Sequence, residues 1–290
     1  MPITEQQRAE RHKYLGASEQ ASLWQLDPFR EEHKTWLEKV QPDAMPQTDT
    51  SYTRMGNRLE PFLIDELESR YGIVVSRNLE IFGPYPMVCH PDGAAMLDGK
   101  PVLVQAKTSN IDGFAPERDE FGEDGSDEVP KRVILQEAHE LVCAGIEFRI
   151  VLVPVLIGGV GFRIYRLHRN DELCAAVEER SKQWWTDYVE TKTPPPGTPP
   201  LSVLKFLKRM EGKSVNLSDQ LILDWLAVRE ERLRKEKEEK IREAEMLAAL
   251  GDAEIGLCSF GQLTYKQQFR KAYEIKETSF RVARFKEAKP

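Results

Sequence analysis

The sequence holds little of what would place a chain in a membrane, at a zinc site or behind a disulfide framework. Its longest apolar run, 150–160, is too short to span a bilayer and contains Pro154. The first ten residues, MPITEQQRAE, carry no apolar signal region, so an intracellular protein is expected, without membrane contact. Four cysteines, at 89, 143, 174 and 258, form no CxxC pair, which argues against a structural zinc or a disulfide scaffold. Positive charge is also short: the net charge is −7, which argues against broad coating of nucleic acid. A local basic groove remains compatible with that total, because distribution matters more than the sum.

What is present is an ordinary globular composition, 40% hydrophobic and 31% charged over 290 residues, enough for one or two domains. The chain is organised around 85–109, YPMVCHPDGAAMLDGKPVLVQAKTS. After a turn at Asp98-Gly99, residues 102–108 have the pattern of a short strand. Strand residues two apart share a face, so Gln105 and Lys107 lie together while Val104 and Ala106 point into the core. With Asp92 on the neighbouring strand, a carboxylate, an amide oxygen and an ammonium converge. Asp92 and Gln105 offer hard oxygen donors suited to magnesium or manganese. Lys107 can orient water and face charge developing on a phosphate. A strand with a polar outer face and a chance aspartate before it fits the same residues.

Upstream, Arg11 and Ser18 flank Leu15-Gly16-Ala17, and Ser18 is expected to cap a helix beginning at Glu19. Exposed N–H groups there, the Ser18 hydroxyl and the Arg11 fork would make a phosphate pocket; an ordinary capped surface helix is the other reading. A second helix is expected over 32–40 and a polar loop over 41–51. Pro61 in a first turn would place Glu60 at the start of a helix ending at Gly72. Strands are expected over 73–82 and 85–89. The acidic, glycine-rich 110–130 reads as a mobile loop. A helix over 131–144 puts Gln136, Glu140 and Cys143 near one face. A hairpin of two strands, 147–156 and 161–167, and a helix over 171–189 follow.

Residues 191–200, TKTPPPGTPP, form a stiff linker and a domain boundary between a 1–190 core and a 201–290 extension. The extension opens with a long charged helix over 217–250 and ends in strands or a hairpin over 258–285. There Lys266, Arg270, Lys271, Lys276, Arg281, Arg284 and Lys286 alternate with Tyr265, Phe269, Tyr273, Phe280 and Phe285. Such a mixture suits DNA contact. It also suits pairing with the acidic helix or a neighbouring subunit.

In their order, these elements resemble the phage-type alkaline exonucleases and YqaJ-like viral recombinases of the PD-(D/E)xK nuclease superfamily. The resemblance covers roughly 8–190. It is carried by Arg11 with LGAS at 15–18, GNRLEP at 56–61, HPDG at 90–93, QAK at 105–107 and LQEAHEL at 135–141. It implies an α/β fold, a restriction-endonuclease-like core with a central mixed sheet flanked by helices, here with a helical and hairpin C-terminal extension. It implies a magnesium-dependent 5′-3′ exonuclease, manganese able to substitute, that degrades one strand of linear duplex DNA and exposes single strand for recombination in a bacterial or phage-infected cell. Asp92, Gln105 and Glu60 would hold metal, Lys107 and Gln136 would complete the catalytic set, and Arg11 with Ser18 would hold the 5′-phosphate. A ring-shaped homo-oligomer and a single-strand annealing partner are also implied. Gln105 departs from the glutamate usual there and removes one negative charge. The alternative is therefore a catalytically weakened nuclease fold that serves as a DNA-binding or recombination scaffold.

Overall fold

The computed structural model describes residues 10–44, 50–109, 120–204, 206, 211–267 and 269. The chain divides into two compact units, Met1–Lys208 and Arg209–Pro290. Among the described residues no helix is long and apolar enough to cross a membrane.

The first unit contains two sheets. Three short strands, β1 (Leu15–Gly16), β2 (Ile81–Phe82) and β3 (Met87–Cys89), form the smaller one, with β1 parallel and β2 antiparallel to β3. The larger sheet is mixed. β4 (Gly93–Leu97) and β5 (Lys100–Val104) make a hairpin through Asp98-Gly99, both at positive φ, as a tight two-residue turn requires. β6 (Lys107–Ser109) continues the line of β5. Both run parallel to β7 (Ile150–Ile157) in one register, and β8 (Gly161–His168) returns antiparallel on the far side of β7.

Helices cover both faces of this sheet. In chain order they are α1 (Gln20–Leu23), α2 (Glu32–Val40), α3 (Ser51–Tyr71), α4 (Lys131–Ala144), α5 (Asp171–Trp184) and α6 (Leu201–Leu204). Strand alternation separates the two cores. Val102, Val104 and Leu152 pack with Ile64 and Leu67 of α3. Leu103, Val151, Val153 and Val155 pack with Val133 and Leu141 of α4 and Val177 of α5. Each such fully buried side chain contributes about 1.5–3 kcal/mol of transfer free energy.

The structure differs from the sequence expectations in several places. The strand expected over 102–108 is interrupted at Gln105-Ala106. In the shared register Ala106 stands opposite Pro154, which has no N–H to give to the ladder. Helix α3 begins at Ser51, where Thr50 caps it by accepting from Thr53 N at 3.2 Å, and Pro61 lies inside it. Glu60 is therefore mid-helix. Between Gly72 and β2, only Ser76 bridges to the sheet, at Ala94. Ser18 makes no cap; instead Glu19 accepts from Gly16 N at 2.9 Å. Finally, 120–130 is tied down: Phe121 and Val129 are buried, Asp124 accepts from Ile164 N at 2.7 Å, and Arg166 N donates to Ser126 O at 3.0 Å. The rest of that acidic stretch, 110–119, lies outside the described residues.

The aromatic tail of α5 is packing material. Trp184 is fully buried and donates to Glu32 Oε1 at 2.9 Å, while Trp36 donates to Tyr188 O at 2.9 Å. The proline-rich stretch rests on this cluster: His33 meets Pro195 O at 3.0 Å, and Val203 is buried. In the second unit, α7 (Asp219–Leu250), capped by Ser218, has no buried residue and is followed by the hairpin β9 (Ile255–Cys258) and β10 (Gly261–Thr264). The basic residues from Arg270 onward lie outside the described residues.

Gly93 is the tightest point beside Asp92. A Cβ there would stand 2.2 Å from Val75 Cγ1 and 2.9 Å from the Ser76 carbonyl oxygen. Gly93→Ala should cost about 1–3 kcal/mol of stability by overpacking. An unchanged urea midpoint for the variant would contradict the close approach.

Candidate functional site

The site grows out of the interruption in the β5–β6 line. Asp92 immediately precedes β4, and the antiparallel pairing of Gly93 with Val104 sets it across from Gln105. Asp92 N donates to Gln105 Oε1 at 3.3 Å. In return the Ala106 N–H donates to Asp92 Oδ2 at 2.8 Å. Gln105 and Lys107 point to the α4 side, with Gln105 only 8% exposed. Ala106 and Thr108 point to α3, where Gly56 stands 4.0 Å from Thr108 Oγ1, measured from an added Cβ. Four residues on, one helical turn along, Glu60 is close enough to act on the Asp92 carboxyl.

Lys107 is held from α4. Its Nζ donates to Gln136 Oε1 at 3.0 Å, and Gln136 Nε2 donates to Glu140 Oε1 at 3.1 Å. The structure thus brings together Asp92, Gln105, Lys107 and Gln136, with Glu60 near enough for its charge to act on Asp92. It adds Glu137 and Glu140, each 1% exposed. Both oxygens of Glu137 and Oε2 of Glu140 are buried without a hydrogen-bond partner among the described residues. Sequence reading placed Glu140 on the Gln136 face but gave it no role and passed over Glu137. The available signal was two carboxylates at helical spacing from Gln136, between Leu135, Ala138 and Leu141.

The electrostatics follow from burial with one nearby cation. Burial pushes the Asp92 carboxyl up to about 6; Glu60 adds to the rise, while Lys107 and the Ala106 N–H oppose it. Burial lifts Glu140 to about 7, against Lys107 and the Gln136 amide. Glu137 is raised well above the usual range, first by burial and then by Glu140. Among the described residues no three His, Cys, Asp or Glu side chains form a metal-ligand group. The donor set here is instead carboxylate plus the Gln105 amide. An all-oxygen set with desolvated negative charge and orphaned carboxylate oxygens fits a hard divalent cation such as magnesium or manganese.

Arg11 and Ser18 form a second group. Arg11 Nη2 lies 3.4 Å from Ser18 Oγ, and Arg11 Nε donates to Glu19 Oε1 at 3.1 Å. Glu19 is fully buried and also meets Lys39 at 2.6 Å and Arg30 at 3.3 Å. Burial alone would raise its carboxyl, but Lys39, Arg11 and Arg30 together hold it well below the carboxylate range. This fixes the Arg11 fork while leaving its side chain 37% exposed. The two groups are bolted together through the helices: His139 of α4 meets Gln20 Oε1 at 3.2 Å and Val88 O at 3.1 Å.

A mixed sheet between helices, with an aspartate before one strand and a Gln-x-Lys on the next, is the arrangement expected of a restriction-endonuclease-like core. Residues 7–147 match the family described as the YqaJ-like viral recombinase domain. The chain is 25% identical over 302 residues to the uncharacterized protein YqaJ of Bacillus subtilis (strain 168), covering 96% of this chain and 92% of that one. Among solved structures, LHK-Exo in complex with dAMP superposes with a TM-score of 0.50 at 16% identity, over 66% of this chain and 94% of that one. It shows the fold. The alkaline exonuclease LHK-Exo from Laribacter hongkongensis gives 0.49 at 17% identity, over 66% of this chain and 94% of that one. A phage-related exonuclease from Haemophilus somnus 129PT gives 0.47 at 13%, over 64% and 98%.

The raised Asp92 carboxyl has a consequence for stability. Its folded value near 6 lies above the ordinary 3.8, so between those values the folded protein keeps a proton that the unfolded chain has lost. The charged side chain therefore costs stability that is fully felt above about pH 6 and vanishes below about pH 4. Asp92→Asn in chelator-treated protein should gain on the order of 1–3 kcal/mol at pH 8 and much less at pH 4.5. Urea unfolding at the two pH values measures it; a variant less stable than wild type at pH 8 would refute the burial argument.

Proposed function

We propose that the core is a metal-dependent 5′-3′ exonuclease that degrades one strand of linear double-stranded DNA and leaves single strand for recombination. The observation that carries this reading is the convergence of Asp92, Gln105 and Lys107 at one break in the sheet, with Lys107 steadied by Gln136. The match to the YqaJ-like viral recombinase domain supports DNA processing as the setting.

In this reading Asp92 and Gln105, with Glu60 beside them, hold magnesium or manganese through oxygen. When bound, the metal supplies polarisation of the scissile phosphate and a water acidic enough to attack. The Ala106 N–H fixes one Asp92 oxygen and so orients the other. Lys107 neutralises charge as it develops on the phosphate, and Gln136 keeps its ammonium from swinging away. Arg11 and Ser18 receive the terminal 5′-phosphate, with Glu19 anchoring the guanidinium behind. A closed ring of subunits would keep a duplex from escaping an acidic chain between cuts. A single-strand annealing protein is the partner suited to the exposed strand. The second reading, a nuclease fold kept as a DNA-binding or recombination scaffold, rests on the neutral Gln105, which removes one negative charge from the site.

Incubating 5′-phosphorylated linear duplex with the full chain and magnesium or manganese should release nucleotides. No release with either metal favours the scaffold. Lys107→Ala should lower the rate by about 100-fold or more while duplex affinity stays within about twofold. An equal fall in affinity would make Lys107 a docking residue.

The end-selection role has its own measurement. Wild type should prefer 5′-phosphoryl over 5′-hydroxyl ends, and Arg11→Ala should abolish the preference. Unchanged discrimination in the variant would remove Arg11 from this role.

A further inference from the structure

We propose that Glu140, with Glu137 beside it, supplies to the Asp92 cation site the negative charge that Gln105 lacks. The inference rests on the metal-site reading above and says where the compensating charge comes from.

Three observations carry it. The first is position. Glu140 is linked to Lys107 through a single side chain, with Gln136 accepting from Lys107 at 3.0 Å and donating to Glu140 at 3.1 Å. Glu137 lies one turn before Glu140 on the same buried side of α4. The second is lack of satisfaction. Glu137 has two buried oxygens, and Glu140 one, with no hydrogen-bond partner among the described residues. Without a positive partner such a pair of neighbouring carboxyls keeps a proton, and a bound cation takes that proton's place. The third is the contrast with Glu19, equally buried, where Lys39, Arg30 and Arg11 all reach the carboxylate. At Glu137 and Glu140 no comparable set of cations stands by among the described residues. Lys107 reaches them only across Gln136.

The ligand class is a hard divalent cation, and the contribution is through the field, with Glu140 acting as a positioning and charge-supplying residue rather than a catalytic one. One full charge several ångströms from a cation, at the effective dielectric of a partly buried site, changes affinity by about tenfold or more. A charge placed at 105 would act on the same cation, so the two positions should substitute for one another.

Manganese binding to the full chain without DNA tests this by titration calorimetry, with metal-free thermal unfolding as a check on folding. Glu140→Gln should weaken manganese binding by about tenfold or more, and Glu137→Gln should weaken it in the same direction. Gln105→Glu combined with Glu140→Gln should restore affinity to near wild type. If Asp92→Asn abolishes binding but Glu140→Gln and Glu137→Gln leave it unchanged, the inference is wrong and the metal-site reading stands. If wild type binds no manganese, both fall together. Should Glu140→Gln unfold the protein, the Glu137→Gln variant and the gain in affinity from Gln105→Glu alone decide, and no change in either overturns the proposal.

Discussion

A single backbone N–H, that of Ala106, holds the candidate site together. In an unbroken sheet it would belong to the strand ladder; here it reaches Asp92 Oδ2 at 2.8 Å. The Gln105 N–H keeps the ladder to β7, donating to Leu152 O at 3.0 Å, so the next N–H, that of Ala106, points to the opposite edge, where β4 begins only at Gly93 and Asp92 stands in for a strand partner. Beyond the break Lys107 resumes pairing in the same register, which keeps its side chain on the α4 face, where Gln136 meets it. The geometry of Asp92, Gln105 and Lys107 is thus a by-product of one interrupted strand clamped between α3 and α4.

Charge is handled differently in the two halves of the core. Glu19 is buried with three cations on it, so it stays ionised and acts as a fixed post for Arg11. Asp92, Glu137 and Glu140 are buried around one lysine, and their carboxyls rise accordingly. A group whose charge is already balanced makes a scaffold. A cluster short of positive charge is ready to take up a cation or a proton.

Much of this was legible before the structure. Period-two alternation placed Gln105 and Lys107 together, and the Asp98-Gly99 turn fixed the hairpin that carries Asp92 back to them. Helix 131–144 and helix 32–40 stand at the bounds expected of them. Elsewhere local signals misled. Pro61 looks like a first-turn proline, yet α3 starts ten residues earlier because Thr50 caps it and tertiary packing carries the helix through. The acidic 120–130 segment looks solvated, but Phe121 and Val129 anchor it and its backbone pairs along β8. Glu137 and Glu140 were hidden because their meaning depends on Lys107, thirty residues away in sequence and brought near only by the parallel crossover between β6 and β7.

The central claim is that the break at Gln105-Ala106 builds a cation site facing a phosphate-bearing end. Its most direct test is a crystal of the full chain with a short 5′-phosphorylated duplex, soaked in manganese and measured at the manganese absorption edge. The account predicts an anomalous peak between Asp92 and Gln105, with the 5′ end near Arg11 and Ser18. Bound duplex with no peak there, or a peak remote from Asp92, would contradict it.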